Sequence, residues 1–135
     1  MDAISLPFKG PILGVGVDLV SVSRIRELID RQGGRFLERV FTERERAYCS
    51  RFRDPSERYA ARFAAKEAVA KAFTTGIGEH LEWKSISVVS GERGQPEIEL
   101  DEKGKALLAQ VGGSHVAVSL SHTADSAIAF AAVVG

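Results

Sequence analysis

Asp18 and Glu67 are the two acids whose sequence settings are unusual. Asp18 ends the alternating run Gly14-Val15-Gly16-Val17-Asp18, and two glycines share its face of the strand. Glu67 lies in Arg62-Phe63-Ala64-Ala65-Lys66-Glu67-Ala68-Val69-Ala70-Lys71, which reads as helix. At about 100° per residue it projects among Ala60, Phe63, Ala64 and Ala70, inside the small apolar face. A carboxylate there is costly unless a cation or hydrogen-bond donors compensate it. Small residues on both elements allow strand and helix to pack closely and bring the two acids within reach of one cation. Mg²⁺ suits such a pair, because it takes one or two carboxylates and fills its other positions with water and phosphate oxygens. The plainer alternative is a Glu67–Lys71 bridge at i, i+4, with Asp18 merely ending a strand or capping a helix. Spacing alone favours that alternative.

Arg62, Lys66 and Lys71 surround Glu67 in sequence and could neutralise a polyphosphate, although basic helix residues are more often solvated. Thr74-Thr75-Gly76-Ile77-Gly78 follows, and its glycines could bring backbone amides to an anion or simply stop the helix. It is not a Walker loop, since no Gly-Lys-Ser/Thr follows in register. Ser119-Leu120-Ser121-His122-Thr123 places a serine beside a histidine, but no nucleophile elbow accompanies it. His80, His115, His122 and the single cysteine, Cys49, do not make a zinc site. Cys49 reads as buried filler rather than a nucleophile.

The elements that must position these groups alternate between strands and helices. Ile12 to Val20 reads as a strand, Ser21 or Ser23 as the cap of a helix to Gln32, and Gly33-Gly34 as its stop. A short helix over Arg35 to Val40 follows, and Thr42-Glu43-Arg44-Glu45 forms a capping box for the next one. Asp54-Pro55-Ser56-Glu57 begins the long helix that carries Glu67 through Phe73. Ser85–Ser90 and Pro96–Leu100 form a hairpin, Asp101–Val111 a helix, and His115–Ser121 and Ser126–Val134 two further strands. The last strand is apolar on both faces, so it is central in a layered domain or part of a subunit interface. The class is α+β, one domain over residues 1–135, with a long helix packed on a mainly antiparallel sheet.

The 135 residues carry eighteen Lys/Arg and eighteen Asp/Glu, so the balance is neutral. It is also uneven, because residues 24–71 hold thirteen basic side chains against eight acidic ones. That excess is either a solvated helical surface or a docking face for an acidic partner or phosphate ligand. Nucleic acid is disfavoured by the few aromatics and the lack of a reader motif. No run suits a membrane span and no secretory leader opens the chain, so cytoplasm is expected.

Several motifs together resemble one family. Gly14-Val15-Gly16-Val17-Asp18-Leu19-Val20, Arg24-Ile25, Phe63-Ala64-Ala65-Lys66-Glu67-Ala68 with Lys71-Ala72, Thr75-Gly76-Ile77-Gly78 and Val118-Ser119-Leu120-Ser121-His122-Thr123 occur in order. They are similar to those of the holo-[acyl-carrier-protein] synthases, the short-chain 4′-phosphopantetheinyl transferases. The resemblance implies transfer of phosphopantetheine from coenzyme A to a serine of apo acyl carrier protein, with release of adenosine 3′,5′-bisphosphate, in fatty acid biosynthesis. It implies Mg²⁺ on Asp18 and Glu67, phosphate neutralisation by Lys71, Arg62 and Lys66, and Thr75 and Gly76 near the nucleotide. His122 and Thr123 match positions near the 3′-phosphate, contributed across the interface of a trimer. Arg24, Leu28 and Arg35 match positions that grip the carrier's acidic helix. Glu67, Asp18 and a metal-bound water are the candidate bases. Other readings are a different Mg²⁺-dependent phosphoryl-transfer enzyme and a non-catalytic trimer that binds an acidic protein.

Three features depart from the pattern or from its larger relatives. Thr74 stands where the family often has glycine, and residues 1–10 extend beyond its usual start. Val20 stands where the larger pseudo-dimeric relatives carry a second acid, which favours the short trimeric class.

Overall fold

The computed structural model describes residues 4–135. The chain runs β1 (Ile12–Ser21), α1 (Val22–Gln32), α2 (Gly34–Val40), α3 (Glu43–Cys49) and α4 (Ser56–Ala72). A 3₁₀ turn at Trp83–Ser85 leads into β2 (Ile86–Ser90) and β3 (Pro96–Leu100). Then come α5 (Glu102–Gln110), β4 (His115–His122) and β5 (Ser126–Val134). The fold is α+β, as the residue patterns predict. Among the described residues, no helix is long and apolar enough to cross a membrane.

A three-stranded antiparallel sheet in the order β1-β5-β4 forms one layer, and β2-β3 form a separate hairpin. The doubly apolar last strand is the central one. Its Ala127, Ala129 and Ala131 are buried on the face toward α4, whereas Ile128 and Phe130 remain exposed on the other. Leu13, Val15, Val17 and Leu19 of β1 are also exposed. Val17 pairs with Phe130 and Leu19 with Ile128 across the strands, so these residues form one continuous apolar outer face.

α4 is the axle of the core. Alanines at 60, 61, 64, 65, 68, 70 and 72 are buried, together with Val69, and let the helix lie close to the sheet. The contact with β1 is main chain against main chain. A Cβ added at Gly14 would come within 2.1 Å of the Ala72 carbonyl oxygen, and one at Gly16 within 2.0 Å of that of Ala68. Glycine is the residue that allows such an approach.

Local signals account for the helix starts. Thr42 and Glu45 form the predicted reciprocal capping box of α3. Asp101 accepts the Gly104 amide at the start of α5. α4 starts at Ser56, one residue later than predicted, with Pro55 as the capping position and Asp54 Oδ1 accepting the Ser56 N–H at 3.1 Å. Ser21 occupies the N-cap position of α1, as one of the two predicted candidates, but its hydroxyl bonds to that of Ser23 at 2.8 Å and makes no capping hydrogen bond.

Candidate active site

Asp18 and Glu67 come together where β1 crosses α4. Asp18 lies on the glycine face of β1, which turns it toward the helix. Glu67 is half-buried, with burial first and the Asp18 charge second pushing its carboxyl above the usual range. Lys71 and Arg24 pull in the opposite direction. Lys71 reaches across to β1, donating to Asp18 Oδ1 and to the Val17 carbonyl, both at 3.1 Å. The expected Glu67–Lys71 bridge is therefore replaced by a Lys71–Asp18 bridge. A cation between the two acids would relieve the charge that Asp18 sets against Glu67, so the donor set fits Mg²⁺. Among the described residues, no group of three or more His, Cys, Asp or Glu could hold a metal ion. A cation here would have two protein carboxylates and take its other oxygens from water and substrate.

The sequence placed Glu67 in the core stripe of its helix, and the structure corrects this. Its alanine neighbours are fully buried, but Phe63, Glu67 and Lys71 form the least buried stripe, spaced i, i+4, i+8. α4 is enclosed on nearly every side, so its apolar periodicity marks no single core face.

Lys66 is also corrected. Its ammonium does not face a phosphate, since the side chain is 0% exposed and pairs with the equally buried Glu45 at 2.7 Å. It also donates to the carbonyls of Trp83 and Ile86. Desolvation depresses its pKa, and the Glu45 charge opposes that shift.

Arg62 is 8% exposed and lies over the Tyr48 ring, its guanidinium carbon 4.2 Å from the ring centroid. Among the described residues its Nε has no hydrogen-bond partner. Two small clefts open beside it. One, of about 210 Å³, is lined by Arg58, Arg62, Ser90, Pro96 and His122. The other, of about 220 Å³, adds Arg44 and Arg51. His122 Nδ1 is 3.0 Å from Glu57 Oε1, which holds the ring at the mouth of the first cleft. Arg62 and His122 of one chain thus share a cleft.

Three of the five amides of the Thr74–Gly78 loop are taken up within the chain. The N–H groups of Thr74, Gly76 and Gly78 donate to the carbonyls of Lys71, Ala70 and Leu81. Thr75 Oγ1 donates to the Gly76 carbonyl. Thr74 and Gly76 both have positive φ, 67° and 66°. Thr123 uses its hydroxyl to accept the Asp125 and Ser126 amides within the β4–β5 turn.

A model of the 4′-phosphopantetheinyl transferase superfamily matches residues 14–131. The chain belongs to that superfamily. Holo-[acyl-carrier-protein] synthase of Desulforudis audaxviator is 48% identical over 124 residues, covering 92% of this chain and 94% of that protein. The crystal structure of holo-[acyl-carrier-protein] synthase from Neisseria meningitidis superimposes with a TM-score of 0.87 at 34% identity, covering 93% and 100% of the two chains. The Helicobacter pylori synthase, solved in complex with coenzyme A, gives a TM-score of 0.79 at 33% identity, covering 90% and 99%. The family that the motifs resemble is the family the comparisons identify.

In this transferase α1 starts immediately after the strand that carries Asp18. Arg24 and Arg35 are exposed, and Leu28 is half-buried against the core. Residue types alone did not single out Glu45 beyond its cap, nor Arg44, Arg51 and Arg58 of the clefts. The only signal for the arginines is their density, eleven between residues 24 and 62.

Proposed function

We propose that this chain transfers 4′-phosphopantetheine from coenzyme A to a serine of apo acyl carrier protein, in the cytoplasm and in the service of fatty acid biosynthesis. The observation that carries the reading is the convergence of Asp18, Glu67 and Lys71 at one crossing of strand and helix. The serine oxygen attacks the β-phosphorus of coenzyme A. The bond from that phosphorus to the bridging oxygen breaks, adenosine 3′,5′-bisphosphate leaves, and the serine proton passes to a base. Phosphoryl transfer asks chiefly for positioning and charge stabilisation, so the chain needs no nucleophile of its own. Asp18 and Glu67 would hold Mg²⁺, which when bound would neutralise charge on the diphosphate. Lys71 adds positive charge at the same place. The arginine clefts with Arg62 and His122 suit the nucleotide phosphates, with Thr75, Gly76 and Thr123 near the nucleotide. Arg24 and Leu28 on α1, with Arg35 at the start of α2, receive the acidic helix of the carrier.

The exposed apolar outer face of the sheet supports a homotrimer with sites between subunits, since monomers rarely leave so continuous a patch open. Incubation with apo carrier protein, coenzyme A and Mg²⁺, followed by carrier mass measurement, tests the proposal. A phosphopantetheine adduct is expected, and Asp18→Ala and Glu67→Ala should abolish it with the fold retained. No adduct beside a working control enzyme sinks the reading. Full activity in either variant removes the metal pair.

A further inference from the structure

We infer that the buried Lys66–Glu45 pair is a positioning device that sets the rotation of α4 about its axis and so directs the Glu67 carboxylate toward Asp18. The inference rests on the reading of Asp18 and Glu67 as metal ligands. Lys66 and Glu67 are adjacent on the helix, about 100° apart, so any turn that moves one moves the other. Each donor of the Lys66 ammonium has its own acceptor: Glu45 Oε1 at 2.7 Å, the Trp83 carbonyl at 3.0 Å and the Ile86 carbonyl. Glu45 is held just as fully. Its Oε1 also accepts the Thr42 amide at 2.9 Å, and its Oε2 accepts the Val88 amide at 2.8 Å. One side chain of α4 is thereby fixed to the start of α3, to the 3₁₀ turn and to β2.

A buried ion pair is weak evidence for stability, because desolvation offsets much of the attraction and apolar residues can do as well. What it does supply is direction. An ammonium with three fixed acceptors tolerates one placement, whereas methyl groups slide over one another. α4 has particular need of this, because the buried alanines make its surface nearly smooth and a smooth cylinder specifies rotation poorly. Lys66 is therefore a positioning residue, acting through Glu67.

The test is a titration of the metal-free protein with Mn²⁺, a paramagnetic stand-in for Mg²⁺, followed by electron paramagnetic resonance. The proteins compared are the unaltered chain, Asp18→Ala, the double variant Lys66→Met with Glu45→Gln, and Glu45→Asp. In the double variant a neutral amide can still serve the Val88 N–H, while the directional ammonium is gone. It should fold and bind Mn²⁺ at least tenfold more weakly, with Glu45→Asp shifted in the same direction. Unchanged Mn²⁺ affinity alongside a lowered melting temperature overturns the positioning role and leaves the metal site standing. If the double variant does not fold, Glu45→Asp decides by the same criterion. If neither folds, the pair is a folding requirement and the positioning role is overturned. Equal binding by the unaltered chain and Asp18→Ala overturns the metal-ligand reading and this inference with it.

Discussion

Lys71 Nζ lies 3.1 Å from Asp18 Oδ1, tying the last turn of α4 to β1 where the two acids meet. The lysine is about half exposed, so the pair should contribute at most about 1 kcal/mol to stability. In the proposed reaction its cation would balance diphosphate charge. Lys71→Ala should therefore lower kcat/KM for coenzyme A by roughly 10²–10³-fold, the range seen for losing a preorganised stabilising group. Thermal melts should move little. A Lys71→Ala protein with normal turnover would exclude the lysine from charge stabilisation.

Gly16→Ala should be strongly destabilising, by about 3 kcal/mol or more, because backbone of α4 fills the space that the methyl group needs. Gly34→Ala is the control. It lies in the first turn of α2 with, among the described residues, no atom beyond its own helix and chain neighbours within 4 Å of the added one, and should be neutral or slightly stabilising. Urea unfolding of both variants checks the contrast, which disappears if β1 can lift away from the helix at little cost.

Thr74 holds a left-handed φ of 67°, which costs a β-branched residue about 1–2 kcal/mol. Thr74→Gly should recover about 1 kcal/mol, less the extra entropy of the unfolded glycine chain. The measure is the denaturation midpoint. A loss of stability would mean that the threonine makes compensating contacts.

Burial holds the Cys49 thiol at about 12 and the Tyr59 hydroxyl at about 12, both above their values in an unfolded chain. The unfolded state therefore loses these protons first, and the stability they contribute is complete below pH 9. It should fall steadily as the pH rises from about 9 toward 12. Cys49→Ala should flatten that decline, and native protein should resist thiol alkylation at pH 8. Rapid alkylation without unfolding would show the thiol to be accessible.

Arg24 lies at the start of α1, and its charge reaches Glu67. Arg24→Glu should raise the carrier KM several-fold through lost electrostatic complementarity, with a smaller effect on coenzyme A. Steady-state kinetics with each substrate varied in turn makes the distinction. The reverse pattern would move the docking face elsewhere.

Strand order in the chain, the capping box at Thr42 and Glu45, and the glycine face of β1 were all legible as residue patterns. Each depends on neighbours close in sequence or on alternation with a period of two. The stripe of Glu67 was misread because a helix enclosed by sheet and helices is apolar almost all round. The partner of Lys66 was illegible for a different reason. Glu45 is twenty-one positions away on another helix, and only the folded packing of α3 against α4 brings the charges together. The exposed outer face of β1 was written plainly as Leu13, Val15, Val17 and Leu19, but alternation cannot tell a face that covers a core from one left open.

The bare crossing of β1 over α4 has a consequence for how this protein can vary. With no side chain between Gly16 and the Ala68 carbonyl, the spacing of the two backbones beside the acids is a main-chain dimension, which leaves the rotation of α4 to be set separately. Apolar core positions elsewhere can drift in size without retuning that spacing. The crossing itself tolerates almost no change. Evolutionary freedom and constraint are thus separated in space, with the chemistry resting on the part of the molecule that has the fewest atoms to alter.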